Sequence, residues 1–261
     1  MKIKETCTVI GQERIAQDVY SLWLQTGRIA SQARPGQFVS LYSADGSRLL
    51  PRPISLCEID DVQGRLRLVY RVVGKGTKEF SALSEGDTLD VLGPLGNGFP
   101  MEEAAGKRIF LIGGGIGIPP MLELAKAISE AASKDIILGY RNNELFLAED
   151  LKRYGNVHIA TEDGSVGTRG NFMNVIAAEG LNADVIFACG PMPMLRAIKQ
   201  YAQEQDIPAY ISLEERMACG VGACLGCVVK TKEIDHHSHV NNARVCTDGP
   251  VYLASEVNLE N

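Results

Sequence analysis

Residues 214–229 read EERMACGVGACLGCVV, and residues 244–250 read RVCTDGP. Four cysteines fall within these two stretches: Cys219, Cys224, Cys227 and Cys246. The first three follow a C-x4-C-x2-C spacing, and a fourth thiolate further along completes the ligand pattern of a plant-type 2Fe–2S cluster. The sequence therefore predicts a four-thiolate iron–sulfur site near the end of the chain.

Three glycines, Gly220, Gly222 and Gly226, alternate with the predicted ligands. A loop that wraps a cluster needs backbone torsions and close approaches that a Cβ atom would block. It must also direct backbone N–H groups at the sulfurs, because these contacts tune the cluster. The glycines are therefore part of the predicted site.

Zinc and disulfide bonds are the alternatives for these cysteines. Structural zinc usually takes two short cysteine pairs, whereas here one C-x2-C pair stands beside a C-x4-C step and a lone fourth cysteine. Seven cysteines, an odd number, and the lack of a secretory signal disfavour disulfides. The spacing favours an iron–sulfur cluster over both.

Three of the four histidines lie between Cys227 and Cys246: His236, His237 and His239. A Rieske centre needs histidine in place of two cysteines on one iron, and all four thiolates are already present. We expect a solvated loop tip here, with metal binding by these histidines as the alternative.

Length and composition limit the class of protein. A chain of 261 residues, 45% of them hydrophobic, suits two domains with a small third. No run of residues approaches the ~18 apolar residues of a membrane span, and the N-terminus starts in a strand-like alternation without an apolar signal region. Seven cysteines without an export signal predict a reducing compartment, the cytoplasm. A net charge of -6 argues against nucleic-acid binding, which needs a basic surface.

The first third of the chain, to about Phe99, has the pattern of antiparallel β-structure. Short, partly alternating apolar segments are separated by Gly, Pro, Asp and Ser, which predicts a small barrel. The predicted strands cover residues 2–10, 15–24, 37–41, 54–57 and 65–73.

Two stretches of this region carry more polar detail than ordinary turns. Residues 52–55 read Arg-Pro-Ile-Ser, where a proline fixes the backbone so that an arginine and a hydroxyl can face one ligand. Residues 74–77 read Gly-Lys-Gly-Thr before a short helix predicted to begin near Lys78, an arrangement suited to a pyrophosphate. An ordinary β-turn and a helix cap are the alternative for both.

From Lys107 onward, strands and helices alternate. A buried strand at residues 108–112 runs into a glycine loop at residues 113–117, and a helix is predicted over residues 121–132. Ile118 stands where the third glycine of a strict G-x-G-x-x-G motif would be. The glycines still allow a dinucleotide close to the backbone at the carboxyl end of a parallel strand.

Further strands and helices of this region complete a parallel sheet. We predict strands at residues 135–140, 157–161 and 185–188, helices at residues 172–178 and 193–205, and residues 209–213 as the last strand of the sheet. A second glycine turn, Cys189-Gly190-Pro191, lies on the same edge as the first, where ligands bind in open α/β sheets. A tight βα turn without a ligand is the alternative.

Taken together, these motifs resemble the ferredoxin–NADP reductase superfamily over essentially the whole chain. They are Arg-Pro-Ile-Ser on a β-barrel, Gly-Gly-Gly-Ile-Gly and Cys-Gly-Pro in an α/β domain, and the C-terminal cysteine motif. The order of the modules and the Met-Ala-Cys-Gly motif are similar to the electron-transfer subunits of bacterial NAD-dependent (type B) dihydroorotate dehydrogenases. The resemblance implies a FAD-binding β-barrel at residues 1–102, a NAD-binding α/β domain at residues 103–212 and a 2Fe–2S domain at residues 213–261.

The resemblance also implies roles for individual residues. Those expected to contact FAD are Arg52, Pro53, Ile54, Ser55, Val69, Tyr70, Arg71, Gly76 and Thr77. Those expected to border NAD are Gly113, Gly114, Gly115, Gly117, Cys189 and Gly190, with Cys189 as the catalytic residue near the nicotinamide and the flavin. Many superfamily members have tyrosine where Ile54 stands, so aliphatic packing must replace aromatic stacking on the flavin. Cys7 and Cys57 match no motif and are expected in the core.

NAD is expected over NADP. The predicted strand ending at Thr161 is followed by Glu162 and Asp163, and carboxylates at that strand end would repel a 2′-phosphate. Arg141 and Arg169 lie near enough in sequence to oppose this, and an ordinary polar turn is the alternative.

An electron path follows from these expected groups. A hydride carries two electrons and the cluster accepts one at a time, so FAD is needed between NAD and the cluster. The resemblance implies that dihydroorotate is oxidised at an FMN in a separate catalytic subunit, in a heterotetramer with two copies of each chain, during pyrimidine biosynthesis. The alternatives are a reductase serving a ferredoxin or another complex, of the sulfide dehydrogenase or glutamate-synthase type, and a non-enzymatic redox sensor.

Overall fold

The computed structural model describes residues 2–234 and 239–259. Its N-terminal part is a closed antiparallel barrel with the strand order β1-β2-β5-β4-β3-β6, so the predicted barrel is confirmed. The elements are β1 (Ile3–Ala16), β2 (Val19–Gln25), β3 (Phe38–Leu41), β4 (Arg52–Asp60), β5 (Arg65–Arg71), α1 (Lys75–Phe80) and β6 (Thr88–Leu95).

The first barrel strand is longer than the sequence pattern predicts. β1 continues through Gly11 because the pairing with β2 shifts between Val9 and Gly11, and such a bulge absorbs an extra residue. The chain turns instead at Asp18, which has a φ of 57°, a left-handed conformation that aspartate tolerates. The predicted break between residues 10 and 15 is therefore wrong.

The middle of the chain forms the predicted parallel sheet, in the order β10-β9-β8-β7-β11-β12. Helices cover its faces. The elements are β7 (Arg108–Gly114), α2 (Pro119–Ala127), β8 (Ser133–Tyr140), α3 (Ala148–Leu151), β9 (Asn156–Thr161), β10 (Thr168–Arg169), α4 (Phe172–Glu179), β11 (Val185–Cys189), α5 (Met192–Gln205) and β12 (Ala209–Ser212).

Helix α2 ends at Ala127, earlier than predicted. The segment that follows bonds to the start of β7: Glu130 accepts a hydrogen bond from the Gly106 N–H, and Ala132 donates to the Lys107 carbonyl. These tertiary contacts draw the chain away from the helix axis. Local helical spacing alone does not reveal them.

The C-terminal part contains a small hairpin of β13 (Val228–Lys230) and β14 (Asn242–Arg244), followed by β15 (Val251–Leu253). β15 pairs antiparallel with β12 and becomes the edge of the seven-stranded sheet. The prediction that residues 209–213 form the last strand is therefore wrong. Three residues are too few to show a strand pattern in the sequence.

Three apolar cores hold these parts together. One fills the barrel. The second lies between α2 and the sheet and includes Cys57, Val69 and Phe99 from the barrel side. The third joins the other face of the sheet to the C-terminal segment, including Cys227 and Cys246. The barrel, the sheet and the cysteine segment therefore pack against one another directly.

Within residues 2–234 and 239–259, no helix is long and apolar enough to span a bilayer.

Candidate functional site

A cavity of about 1050 Å³ opens between the barrel and residues 212–217. All the residues predicted to contact FAD except Gly76 line it: Arg52, Pro53, Ile54, Ser55, Val69, Tyr70, Arg71 and Thr77. The barrel brings them together because β4 and β5 are neighbours, so the start of β4 and the end of β5 meet at one rim. The structure thus assembles residues that lie far apart in the sequence.

Tyr70 contributes to the cavity wall while its ring belongs to the barrel core. The side chain is 1% exposed, its hydroxyl donates to Gln12 Oε1 at 2.8 Å, and its ring stacks on Tyr20. Burial also raises the pKa of the phenol. Tyr70 therefore supports the wall from behind.

Gly76 lies behind the cavity rim and makes room for Arg52. A Cβ atom at position 76 would lie 2.7 Å from Arg52 Nε. Helix α1 begins at Lys75, earlier than predicted, so Gly76 and Thr77 belong to its first turn. The Thr77 hydroxyl accepts hydrogen bonds from the N–H groups of Val73 and Gly74 at 3.0 and 3.2 Å. It acts as the helix cap that the sequence left open as an alternative.

A second cavity, of about 600 Å³, lies at the carboxyl ends of β7, β8, β9 and β11. This is the edge where open α/β sheets bind ligands. The residues predicted to border NAD that line it are Gly113, Gly114, Gly115, Gly117 and Gly190. Arg141 and Glu162 line it too, whereas Asp163 does not; Asp163 accepts hydrogen bonds from the backbone and hydroxyl of Ser165.

The two glycine turns touch each other. A Cβ atom on Gly117 would lie 2.3 Å from the Cys189 carbonyl oxygen, and one on Gly190 would lie 2.3 Å from Met194 Cε. Cys189 itself is 1% exposed and lines neither cavity, and burial raises the pKa of its thiol. Its catalytic role stays a prediction.

Four residues line both cavities: Arg71, Val73, Ile116 and Glu214. Neighbouring protein atoms desolvate the Glu214 carboxyl and raise its pKa, although the residue as a whole is exposed to the open cavity. Arg71 Nε is buried and has no hydrogen-bond partner within the described part of the chain. A buried donor of this kind fits a ligand acceptor at the junction.

Glu214 has no predicted role in the sequence analysis. The sequence signal for it is its place two residues after the end of β12, at the ligand-binding edge of the sheet and just before the cysteine motif.

The cysteine loop is arranged around its sulfurs. Cys219 Sγ accepts hydrogen bonds from the N–H groups of Val221, Ala223 and Cys224 at 3.3–3.4 Å, and Cys224 Sγ accepts one from Gly226. Burial alone would raise the pKa of Cys219, but these N–H donors lower it to about 6. The loop therefore favours a thiolate, the form that binds iron.

The remaining predicted ligands lie beneath the loop. Cys227 and Cys246 are buried next to each other, and burial together with Cys227 raises the pKa of Cys246 to about 12. Cys219 likewise interacts with Cys224. The four sulfurs thus come as two pairs, which suits two bridged iron atoms that each take two thiolates.

Residues 2–234 and 239–259 contain no group of three His, Cys, Asp or Glu side chains placed to hold a single metal ion. The loop has the torsions that a wrapped cluster needs: Gly220 and Gly222 have φ values of 68° and 85°. The donor set therefore fits a 2Fe–2S cluster. Of the predicted histidine tip, His236 and His237 lie outside the described residues, and His239 is exposed.

The cysteine loop and the larger cavity share a wall. Residues 214–217 line that cavity and run directly into Cys219. On the other side, Gly220 packs against Leu95 and Ser40 of the barrel, which a Cβ atom would approach to 3.2 and 3.3 Å. A cluster held by this loop would lie beside the first cavity.

Two protein families match parts of the chain. The family described as "Oxidoreductase FAD-binding domain" matches residues 6–99. The family described as "Iron-sulfur cluster binding domain of dihydroorotate dehydrogenase B" matches residues 214–258. The first region contains the barrel strands around the larger cavity, and the second contains all four predicted cluster cysteines. The expected FAD and iron–sulfur cofactors are confirmed.

Relatives match over the full length. The chain is 47% identical to "Dihydroorotate dehydrogenase B (NAD(+)), electron transfer subunit" of Bacillus caldolyticus, across 98% of this chain and 99% of that one. A protein of the same description from Geobacillus kaustophilus is also 47% identical, with the same coverage. A solved structure of an NADH-dependent reduced ferredoxin–NADP oxidoreductase, described for flavin-based electron bifurcation, superposes with a TM-score of 0.86 at 29% identity. It covers 97% of this chain and 90% of its own.

Proposed function

Because this chain belongs to the family of dihydroorotate dehydrogenase B electron transfer subunits, we propose that it passes electrons from a dihydroorotate-oxidising partner to NAD+. A 2Fe–2S cluster and FAD would connect the two. One observation carries the proposal: the cysteine loop shares a wall with the larger cavity, and Glu214 and Arg71 connect that cavity to the second one.

The cofactors would divide between these places. FAD would occupy the larger cavity, with Arg52 beside its pyrophosphate and Ile54 packed on the flavin, and NAD would occupy the cavity bordered by Gly113–Gly117. Bound there, FAD would supply a group able to exchange electron pairs with a nicotinamide and single electrons with the cluster. The walls described above keep the two cavities adjacent and hold the cluster cysteines against the first.

Proton supply is a task that the chain itself must meet. Electrons leaving an iron–sulfur cluster bring no proton, whereas a hydride comprises two electrons and one proton. The carboxyl of Glu214 lines both cavities, and its raised pKa keeps a proton available closer to neutral pH than an ordinary glutamate would. We assign it the role of holding that proton.

The preference for NAD over NADP would come from Glu162. Its carboxylate lines the second cavity at the end of β9, where it can accept a hydrogen bond from a ribose hydroxyl and would repel a 2′-phosphate. Arg141 lines the same cavity, so its charge opposes this repulsion. The name of the relatives, which specifies NAD(+), supports the assignment.

The partner would be an FMN-containing catalytic subunit, in a heterotetramer with two copies of each chain and a role in pyrimidine synthesis. The description of the relatives as electron transfer subunits supports a separate catalytic chain. The cytoplasm is the proposed location, because a chain with seven cysteines, four of them predicted cluster ligands, is typical of a reducing compartment.

A decisive test is reconstitution with the partner. The chain and a dihydroorotate-oxidising catalytic subunit from the same organism are co-purified anaerobically, and NADH formation is followed after addition of dihydroorotate. We expect NADH from the complex and none from either chain alone. A complex with full flavin and iron content that forms no NADH would contradict the proposal.

The second candidate is a reductase that exchanges electrons with a soluble ferredoxin. The full-length match to the ferredoxin–NADP oxidoreductase favours it. The same purified chain is therefore given reduced ferredoxin instead of the partner. NADH formation with ferredoxin but not with dihydroorotate would establish this candidate.

A further inference from the structure

Helix α2 holds barrel strand β4 by two hydrogen bonds to one residue. The Glu123 carboxylate accepts from the Ile59 N–H at 2.7 Å, and Lys126 Nζ donates to the Ile59 carbonyl at 3.1 Å. Lys126 also lies 3.4 Å from the Glu123 carboxylate. The helix therefore satisfies both polar backbone groups of Ile59 at once.

The Ile59 N–H and carbonyl groups are not used in strand pairing because β4 changes neighbouring strands along its length. Residues 52–55 pair with β3, whereas residues 56–60 pair with β5, with a register shift between Leu56 and Glu58. Within the described chain, no strand pairs with the edge of residues 56–60 of β4 that lies on the same side as β3. Glu123 and Lys126 take the place that a neighbouring strand would occupy.

Glu123 lies where burial makes the charged form of a carboxyl group unfavourable. Its side chain is only 8% exposed, and burial raises the pKa of the group. Lys126 on the same helix opposes that shift, and Glu58 on the facing strand adds to it. The apolar core beside it already joins α2 to the barrel without directional preference. A buried carboxylate adds a hydrogen bond of fixed geometry to an interface that apolar packing already stabilises.

The strand itself, and the loop before the helix, each contribute to one of the two cavities. β4 begins with residues 52–55, which line the larger cavity, and residues 113–117, which line the second, lie just before α2 in the chain. The place where α2 lies along β4 therefore sets how the two cavities face each other. Transfer between two bound groups is highly sensitive to such alignment.

We propose that Glu123 is a positioning residue for electron-pair transfer between NAD and FAD: its hydrogen bond to Ile59 fixes the α/β domain on the barrel. The inference rests on the proposed function. It predicts that removing the acceptor slows transfer without weakening nucleotide binding.

The test compares Glu123→Leu, which removes the acceptor, with Glu123→Gln, which keeps an oxygen for the Ile59 N–H. Glu149→Leu is the matched control, because Glu149 also pairs with a lysine three residues on, Lys152, and is exposed in the same domain. Flavin reduction by NADH is measured by anaerobic stopped flow on the cofactor-loaded chain, with NAD+ affinity and amide exchange at Ile59 as independent readouts.

We expect Glu123→Leu to slow flavin reduction about 10- to 100-fold, with NAD+ affinity changed less than about twofold and faster exchange at Ile59. Glu123→Gln is expected to stay within about threefold of the native rate, and Glu149→Leu to match it. If Glu123→Leu lost flavin, Glu123→Asp, whose carboxylate is too short to reach Ile59, would carry the same expectation.

Native rates in Glu123→Leu or Glu123→Asp, with Ile59 exchanging freely, would overturn the inference. Equal slowing by Glu123→Gln would also overturn it, because the acceptor is retained. If NADH did not reduce the flavin of the native chain, that result would contradict the proposed function and not this inference.

Discussion

Replacing Gly117 by alanine tests how closely the two glycine turns must approach. The new Cβ atom would lie 2.3 Å from the Cys189 carbonyl oxygen, 2.4 Å from its carbonyl carbon and 2.6 Å from the Gly190 nitrogen. All three are backbone atoms, so no side chain can rotate away. Restoring an ordinary contact of at least 3.4 Å requires the two turns to separate by about 1 Å.

Both turns border the second cavity, so this separation would move its walls. A misplacement of about 1 Å can lower a transfer rate by about 100-fold, and overpacking of this kind costs about 1–3 kcal/mol of stability. We therefore expect Gly117→Ala to retain FAD and the cluster while flavin reduction by NADH falls by about two orders of magnitude. Anaerobic stopped flow at the flavin absorbance measures this rate directly.

Two controls separate misalignment from general damage. Gly11→Ala places a Cβ atom in β1 with no atom within 4 Å, so it should behave as the native chain. Photoreduction of the FAD, which needs no nicotinamide, should be unchanged in Gly117→Ala. A native rate of reduction by NADH in Gly117→Ala would refute the reasoning from the close contact of the two turns.

Three further variants test the other parts of the site. Arg52→Ala should lower FAD occupancy several-fold because it removes the cation at the cavity rim; unchanged flavin stoichiometry would contradict that role. Cys224→Ser should abolish the iron–sulfur absorbance and leave FAD bound, and a full cluster spectrum would show that Cys224 is not a ligand. Glu214→Gln should slow flavin reduction by dihydroorotate in the complex about 100-fold and flatten its pH profile. Because the native pKa of Glu214 is raised, its ionisation lowers stability as pH rises through that pKa, so Glu214→Gln should melt no lower than the native chain at neutral pH.

Patterns with a regular period predict the fold correctly. The barrel and the parallel sheet each show a period that follows from local geometry, and the C-x4-C-x2-C spacing predicts the iron–sulfur cofactor. The first FAD motif also assembled as expected, since residues 52–55 and 69–71 line one cavity. Strand ends and helix ends were less well predicted because tertiary hydrogen bonds set them, as at Glu130 after α2.

Glycines were the harder part of the site to interpret. A glycine in a sequence can indicate that a Cβ atom would clash at that position, but it does not show which neighbouring atoms would clash with it. At Gly117 and Gly190 the excluding atoms belong to the adjoining turn and to Met194, and at Gly76 to the Arg52 guanidinium. The position of Glu214 between the two cavities likewise exists only after folding, so the sequence alone does not indicate a role for it.

The return of β15 to the sheet makes the cluster-bearing segment an excursion with both ends anchored. The chain leaves the sheet after β12, folds around the cysteines and comes back to cover that same strand. Truncating the protein at the cysteine segment would therefore remove β15, the neighbour of β12, and expose a strand edge that can pair with strands of other molecules. The iron-binding segment is thus an insertion between two strands of the nucleotide-binding sheet and cannot be removed from it as an independent domain.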